Sequence, residues 1–533
     1  MTATVQSLLL MMAVMAAAAV AARKLHLAPS IFLVVAGIGI ALVPGLPPVT
    51  LAPEVVLLVM LPPLIYSAGV AMSWREFKFN LRPIALLAFG CVLFTSGTVA
   101  VAAHYLLGFP WAVGFVLGAI IAPPDTVAPL AIARRLGLPR RLVVVLEGEG
   151  LANDATALIL YRFAVAAVAT GSFSATQAGG TFVAIVIGEL AWGIMVGWVS
   201  LNLRKWAHDP RVEITLSLMT PYLAFWIPEH VGGSGVLATV ACGLWVSWNG
   251  PLLISSATRL QGVFFWDLIV YLIEGFVFLL TGLQARTLIA EAKGFPLGEI
   301  ALATALITGI VIITRFVWVF PATYIPRWLN PSLARRDPAP PWQMPFFLSF
   351  TGIRGVVSLA AALALPYTVQ SGPPFPQRAL ILFITFGVII FTLVGQGLLL
   401  PAVARALGLT RLAREERRFE IEAEISARIA ALEQVEKHLE SVGEALPSDV
   451  QELLRTRNQA RSQILPRDME DALEHMRLSA EVKKDLIDAE RKFIHRMLRD
   501  GKLTDESRRR IEYELDLEEA SLANRARGGG GWM

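Results

Sequence analysis

The sequence predicts an all-α polytopic membrane protein with thirteen transmembrane helices and a helical cytoplasmic tail. Three observations support this fold class: the composition, a succession of long apolar segments, and loops that alternate in charge. Of the 533 residues, 55% are hydrophobic and 17% are charged, whereas soluble domains carry about 25% charged residues. The composition therefore indicates a chain that lies mostly in a bilayer.

The apolar segments are long enough to cross a bilayer. A transmembrane helix needs about 20 mostly apolar residues, and thirteen segments of the chain meet this requirement. The first segment has no basic region before it, so we interpret it as a retained helix and not as a signal peptide. The segments lie at residues 5–22, 27–43, 51–72, 83–107, 111–136, 142–169, 180–203, 212–228, 232–249, 264–284, 298–323, 342–366 and 377–403.

The loops between these segments alternate in charge. One set is rich in basic residues, and the opposite set contains only Arg286, Lys293 and Arg378. The positive-inside rule then places the N-terminus outside and the C-terminus in the cytoplasm, with the chain in the inner membrane. Because the basic residues cluster at helix ends, no nucleic-acid partner is predicted. The basic-rich loops carry Arg23, Lys24, Arg75, Lys78, Arg82, Arg134, Arg135, Arg140, Arg141, Arg204, Lys205, Arg211, Arg259, Arg327, Arg335 and Arg336.

The composition changes after about residue 404. Residues 1–404 are predicted to form the transmembrane domain, and residues 405–533 a cytoplasmic tail rich in Glu, Arg, Lys and Leu. Helical periodicity interrupted at Pro447 and Pro466 predicts two or three amphipathic helices in this tail. The tail is either a solvated extension or a regulatory or dimer-supporting domain.

Cysteine and histidine usage does not point to a metal, a cofactor or an enzyme. Cys91 and Cys242 both lie in apolar segments, and the seven histidines are scattered. Neither residue type shows the spacing of a disulfide framework or a metal site. We therefore predict no cofactor.

Polar residues inside the apolar segments indicate where the function lies, because a charge at a helix centre costs about 2.5–3.5 kcal/mol to insert. The strongest candidate is the stretch 147–156, EGEGLANDAT, in the sixth segment. Helical spacing places Glu149 and Asn153 on one face and turns Asp154 away from Glu149. A buried carboxylate such as Asp154 can hold a proton or a desolvated cation, but not both. That competition is sufficient for an exchanger.

The fifth segment is interrupted by Pro123 and Pro124, which precede Asp125 and Thr126. Two prolines forbid a continuous helix. Irregular backbone at membrane depth is tolerated where it lines a cavity, and the carbonyls that it frees can coordinate a cation. Asp125 is expected to cap the second half-helix, beside the site or within it.

The twelfth segment contains Arg354 between Gly352 and Gly355. An arginine at this depth must face a carboxylate or free carbonyls, and Glu149 is the expected partner. The two interrupted segments are seven apart, which predicts inverted six-helix repeats of segments 1–6 and 8–13 with broken helices 5 and 12. Corresponding breaks in two halves are typical of a transport site. Glu274 and Arg315 are secondary candidates, which we expect to neutralise each other across helices.

Three ordered motifs resemble one known family. They are 122–125 (APPD), 147–154 (EGEGLAND) and 352–360 (GIRGVVSLA). Together with the apolar segments over roughly residues 5–405, they resemble the monovalent cation:proton antiporter-1 family, which includes bacterial NhaP-type sodium/proton antiporters and animal sodium/proton exchangers.

The resemblance implies a homodimer that works by elevator-like alternating access. It implies that Asp154 binds Na⁺ or a proton and that Asn153 bridges to the broken helices. Asp125, with Pro124 and Thr126 beside it, would hold a water or a half-helix end. The pair Glu149–Arg354 would support the site, and an Asn rather than a second Asp at position 153 goes with electroneutral exchange.

Three positions depart from the family pattern. Ser67 follows the Pro-Pro-Leu-Ile-Tyr run of the third segment, where relatives often carry an acidic residue, and Gly150 replaces a common serine. At Pro124, where threonine is common, only the carbonyl can contribute to a site. The cation would then have fewer side-chain ligands.

These residues are compatible with three functions. The sequence favours Na⁺ (or Li⁺) exchange for protons, with a potassium/proton antiporter as the alternative, because spacing cannot set the size of the cavity. An intramembrane aspartyl protease using Asp125 and Asp154 is a remote alternative. It would need both carboxylates on one water and would leave Asn153 and Arg354 unexplained.

Overall fold

The structure is a computed structural model that describes residues 2–25, 27–43, 51–291, 296–369, 372–442, 452–456, 458, 469–499 and 505–526. Over these residues the regular structure is helical, apart from an isolated bridge between Thr368 and Pro374. The predicted all-α fold class is confirmed.

The chain up to residue 413 contains most of the apolar helices. They are α1 (Thr2–Leu25), α2 (Pro29–Ala41), α3 (Val55–Ala71), α4 (Trp74–Phe79), α5 (Leu81–Leu107), α6 (Trp111–Ile121), α7 (Val127–Leu136), α8 (Arg140–Thr170), α9 (Ala175–Ala207), α10 (Pro210–His230), α11 (Val236–Leu253), α12 (Ser256–Leu283), α13 (Ala285–Glu291), α14 (Leu297–Leu329), α15 (Pro331–Arg336), α16 (Gln343–Phe350), α17 (Val356–Leu363) and α18 (Arg378–Ala406).

Seven helices within the described residues are long and apolar enough to cross a membrane, namely α5, α8, α9, α11, α12, α14 and α18. Helices α2, α3 and α6 are apolar but shorter. Each of the thirteen predicted segments contains helix. The number of crossings and the inverted repeat stay predictions, because a span requires about 20 residues and several of these helices are shorter.

The two predicted interruptions are confirmed. Helix α6 ends at Ile121 and α7 begins at Val127, so residues 122–126 are non-helical. Helix α16 ends at Phe350 and α17 begins at Val356. Proline removes the backbone donor that a helix requires, and glycine weakens a helix by about 1 kcal/mol relative to alanine. The residue types at the two breaks therefore explain their positions.

Small residues let some of these helices pack backbone to backbone. A Cβ atom placed on Gly37 of α2 would collide with the Leu279 carbonyl of α12, and one placed on Gly282 would collide with the Val34 carbonyl. Close approach through glycine is a common packing mode of membrane helices. It holds α2 against α12, the helix that carries Glu274.

Tertiary contacts divide the chain into two compact units, Met1–Ala413 and Arg414–Met533. Helix α19 (Leu409–Val442) crosses this boundary, and α20 (Met469–Arg499) and α21 (Asp505–Ala526) lie in the second unit. Ile487, Ile494 and Leu515 form the apolar contact between α20 and α21. The predicted boundary at residue 404 stays a prediction, and the predicted breaks at Pro447 and Pro466 lie outside the described residues.

Candidate functional site

The two interrupted segments meet at their non-helical residues. The backbone N–H of Asp125 donates to the carbonyl of Ile353 over 2.7 Å. The N-cap residue of α7 is Thr126, which makes no side-chain cap bond. The Asp125 carboxylate, one residue earlier, accepts from the N–H of Val127 at 2.9 Å, so Asp125 satisfies the first N–H of α7 from outside the helix. The breaks therefore form one crossing, held together by a backbone hydrogen bond.

Gly355 allows the two chains to approach at this crossing. Its φ of −124° and ψ of −167° are open to any residue, so backbone strain does not explain the glycine. A Cβ atom at this position would instead overlap the side chain of Asp125. The glycine is required by the space that Asp125 occupies.

Asn153 anchors α8 to the crossing. Its side chain is fully buried, and its Nδ2 donates to the carbonyl of Pro124 over 2.6 Å. Its Oδ1 accepts from the backbone N–H of Asp154 at 2.7 Å. Both ends of the amide are therefore satisfied, and the contact with the broken helix that was predicted for Asn153 is present.

Asp154, next to Asn153, is half-buried. Among the described residues, its carboxylate has no hydrogen-bond donor or ion-pair partner. A carboxylate in this position has its acceptor oxygens available. It can be neutralised by a proton or by a monovalent cation.

The predicted pair Glu149–Arg354 is wrong, because Glu149 forms its ion pair with Arg315 instead. The Nη1 and Nη2 groups of Arg315 donate to the two carboxylate oxygens of Glu149 over 2.5 and 2.8 Å, and each side chain is 1% exposed. The Nε of Arg315 donates to the carbonyl of Leu348 at 3.0 Å. This fork-to-fork geometry uses both oxygens of the carboxylate.

Arg354 lies within the break of the second interrupted segment. Its backbone N–H donates to the Thr392 hydroxyl over 3.0 Å, and its Nη1 donates to the nearby Gly352 carbonyl at 3.1 Å. Its Nε is buried without a partner in the described part of the chain. The Arg354 side chain thus binds a backbone carbonyl that the break leaves free. A free carbonyl was one of the two kinds of partner expected for an arginine inside the membrane, the other being a carboxylate.

The expected pairing of Glu274 with Arg315 is also wrong, since Arg315 is committed to Glu149. Glu274 on α12 is half-buried. Among the described residues, its carboxylate has no hydrogen-bond or ion-pair partner.

Ser67 and Gly150 differ in their relation to the site. The Ser67 hydroxyl donates to the Leu64 carbonyl of its own helix at 3.0 Å, which is an ordinary use of serine within a membrane helix. A Cβ atom on Gly150 would meet the side chain of Thr126. Gly150 therefore makes room for Thr126 beside the crossing.

Thr392 and Leu348 join the site although the sequence did not single them out. Thr392 lies where α18 widens into π-helical turns over Phe391–Gln396, and such turns are frequent at functional sites. Leu348 contributes only its carbonyl, which no sequence pattern reveals. No cluster of three His, Cys, Asp or Glu side chains with metal-binding geometry occurs among the described residues.

A family model described as the transmembrane sodium/hydrogen exchanger matches residues 9–406. An uncharacterised Na⁺/H⁺ exchanger of Mycobacterium bovis is 37% identical over 388 residues, which cover 72% of this chain and 71% of that protein. The Na⁺/H⁺ antiporter ApNhaP of Aphanothece halophytica is 31% identical over 438 residues, 82% of this chain and 80% of the relative.

A further relative differs in the ions that its name gives. The sodium, potassium, lithium and rubidium/H⁺ antiporter of Bacillus pumilus is 32% identical over 380 residues, which cover 69% of this chain and 56% of that protein. Among solved structures, the sodium proton antiporter MjNhaP1 of Methanocaldococcus jannaschii matches with a TM-score of 0.61 and 17% identity, over 76% of this chain and 98% of that chain. This last likeness shows a shared fold.

Proposed function

The chain belongs to the sodium/hydrogen exchanger family, and from this premise we propose that it exchanges Na⁺ (or Li⁺) for protons at Asp154. The observation that carries the proposal is the Asp154 carboxylate, which has no hydrogen-bond or ion-pair partner among the described residues and lies next to the residue that binds the crossing. Competition between one proton and one cation for this carboxylate couples the two fluxes.

The same chemistry makes the exchange electroneutral. Asp154 accepts either one proton or one monovalent cation, so one unit charge replaces another in each cycle. Position 153 carries an amide whose two ends are already hydrogen-bonded, and it does not titrate. Within the pair Asn153–Asp154, only the Asp154 carboxylate therefore binds and releases a proton.

The supporting contacts favour movement of the site as one body. Asn153 links α8 to the first break, the N–H of Asp125 links the first break to the second, and the N–H of Arg354 links the second break to α18. Alternating access of the elevator type, within a homodimer, requires a core that moves without losing its internal contacts. These hydrogen bonds would keep the site intact during that movement.

The choice of cation is the second question, and potassium/proton exchange is the alternative. Gly150 removes one hydroxyl ligand, which leaves backbone oxygens and water to complete the coordination shell, and the Bacillus relative carries potassium in its name beside sodium. We retain Na⁺ as the proposed substrate, because the family description and the Aphanothece relative name sodium.

The experiment uses everted membrane vesicles from cells that lack other antiporters, with a pH-sensitive dye and additions of Na⁺, Li⁺ or K⁺. We expect Asp154→Asn to abolish dequenching by every cation. The matched control is Asp209→Asn, the same substitution at an exposed helix cap, where asparagine also caps well. Cation-driven dequenching by Asp154→Asn would refute the proposal, and a larger response to K⁺ than to Na⁺ in the unmodified chain would favour the alternative.

A further inference from the structure

Three arginines from three helices converge on one carboxylate that takes no part in the crossing. Asp337, in the loop after α15, bonds Arg82 at 2.9 Å, Arg141 at 2.6 Å and Arg327 at 2.7 Å. We call these four residues the Asp337 cluster. Three positive charges against one negative charge leave a net charge of +2 (3 − 1).

The Asp337 cluster has spare capacity to bind an anion. Arg82 and Arg141 are each 28% exposed, so they remain accessible beside the carboxylate. The Nη1 of Arg82 is buried without a hydrogen-bond partner among the described residues. An unsatisfied donor on a guanidinium costs free energy, so this partly exposed side chain would gain a hydrogen bond by turning Nη1 towards a bound anionic oxygen.

A cavity extends from the Asp337 cluster into the apolar part of the protein. Its rim contains Arg82, Arg141 and Arg327, and its walls are formed by apolar side chains of α5, α8, α14 and α16. The deeper walls include Leu87, Val145, Val319 and Leu348. The cavity is thus cationic at one end and apolar along its length.

The rim lies where membrane helices end. Arg82 and Arg141 occupy the first turns of α5 and α8, and Arg327 occupies the last turn of α14. All three arginines belong to the basic-rich loops, which the charge pattern assigns to the cytoplasmic side. A cavity with a basic rim at headgroup level and apolar walls at acyl-chain level matches the two ends of a phospholipid.

We propose that this cavity binds an anionic phospholipid of the membrane. The phosphate group lies against Arg82 and Arg141, and part of an acyl chain lies against the apolar wall. The apolar wall favours a lipid over free phosphate, because inorganic phosphate would leave that wall in contact with water. Bound lipid would connect α5, α8 and α14, so its binding is expected to stabilise the protein.

The cavity wall also includes a residue that contacts Arg315, the ion-pair partner of Glu149. The side chain of Leu348 lines the cavity, and its carbonyl accepts the hydrogen bond from Nε of Arg315. Lipid binding at the cavity and its arginines does not require the exchange mechanism. Its test therefore measures binding and stability, without any transport readout.

The experiment measures the thermal melting of the full chain in neutral detergent during titration with phosphatidylglycerol, phosphatidylcholine or inorganic phosphate. We expect phosphatidylglycerol to raise the melting temperature saturably, and the other two compounds to leave it unchanged. The double variant Arg82→Gln/Arg141→Gln should bind phosphatidylglycerol about 30-fold more weakly, since each basic residue near an anionic lipid contributes about a fivefold factor. The control Arg75→Gln/Arg135→Gln removes the same charge from two exposed arginines and should bind normally.

A second variant distinguishes lost binding from lost folding. Asp337→Asn removes the competing carboxylate and raises the net charge of the Asp337 cluster from +2 to +3, so phosphatidylglycerol should bind about fivefold more tightly. An unchanged affinity in both variants would overturn the proposal. A response to phosphatidylcholine equal to that for phosphatidylglycerol, or a response to inorganic phosphate alone, would overturn it as well.

Discussion

Arg315 performs two tasks with one guanidinium group. Its Nη groups neutralise Glu149, and its Nε binds the Leu348 carbonyl just before the second break. Removing one partner of a buried ion pair costs about 3–5 kcal/mol, because the remaining charge is left without compensation. At the scale of single residues, this pair anchors α8 to the residues just before the second break, whereas the Asp154 carboxylate has no partner among the described residues.

The pairing of Glu149 can be tested with a double-mutant cycle. We expect Glu149→Gln and Arg315→Met to show a coupling free energy of about 2–3 kcal/mol, since both replacements remove the same direct interaction. The measurement is the free energy of unfolding in mixed micelles by denaturant titration. The control cycle, Glu149→Gln with Arg354→Met, should give less than about 1 kcal/mol. A stronger coupling to Arg354 than to Arg315 would contradict the geometry.

At the scale of elements, the site is made from the ends of four half-helices. Each break alone would leave unpaired backbone groups inside the membrane, where each one costs several kcal/mol. The breaks satisfy one another in part, through Asp125 N–H and the Ile353 carbonyl, and neighbouring helices satisfy more through Asn153 and Thr392. The crossing is therefore stable only when both interrupted segments and the neighbouring helices α8 and α18 are packed together.

The close contact at the crossing predicts that one added methyl group at Gly355 strongly reduces exchange. Gly355→Ala places a methyl group into the volume of the Asp125 side chain, and overpacking of this kind costs about 1–3 kcal/mol. We expect exchange in everted vesicles to fall at least about tenfold, a factor that corresponds to about 1.4 kcal/mol. The matched control is Gly97→Ala on α5, where a Cβ atom meets nothing within 4 Å. Normal exchange by Gly355→Ala would show that exchange does not require the observed position of the Asp125 side chain.

At the scale of the whole molecule, the division after Ala413 separates the family region from the tail. The family model ends at residue 406, and the first compact unit ends seven residues later, at Ala413. Leu409, which is 0% exposed, belongs to the apolar core of the first unit. The first residues of α19 are thus part of the membrane unit, although the composition of the chain changes before them.

This division predicts the result of truncation. A chain that ends at Ala413 keeps Leu409 and the whole core of the first unit, so it should retain cation-driven exchange and its thermal stability. A chain that ends at Arg405 loses Leu409, and the loss of a buried leucine side chain costs about 2–5 kcal/mol. We expect a lower melting temperature for the shorter chain. Equal stability of the two truncated chains would show that the start of α19 does not belong to the core.

The sequence by itself determined the helical class, the two interruptions and the polar residues beside them. These features are local: proline lacks a donor, glycine weakens a helix, and apolar runs of about 20 residues suit a bilayer. The contact between Asn153 and the first break followed from the family resemblance, whose motifs are also local in sequence. None of these conclusions required knowledge of which helices are neighbours in space.

The tertiary structure alone decided which charges meet. The sequence led us to pair Glu149 with Arg354 and Glu274 with Arg315, because the order of residues along the chain does not show which buried arginine a carboxylate meets. Arg315 lies 166 positions from Glu149. The two residues meet because α14 and α8 both pack against α5 and α16, which brings the long arginine side chain within reach of the carboxylate. The convergence of Arg82, Arg141 and Arg327 on Asp337 was hidden in the sequence for the same reason. Pairing inside a membrane depends on which helices pack together and on how each one is rotated about its axis, and these quantities are set by the packing of the whole bundle.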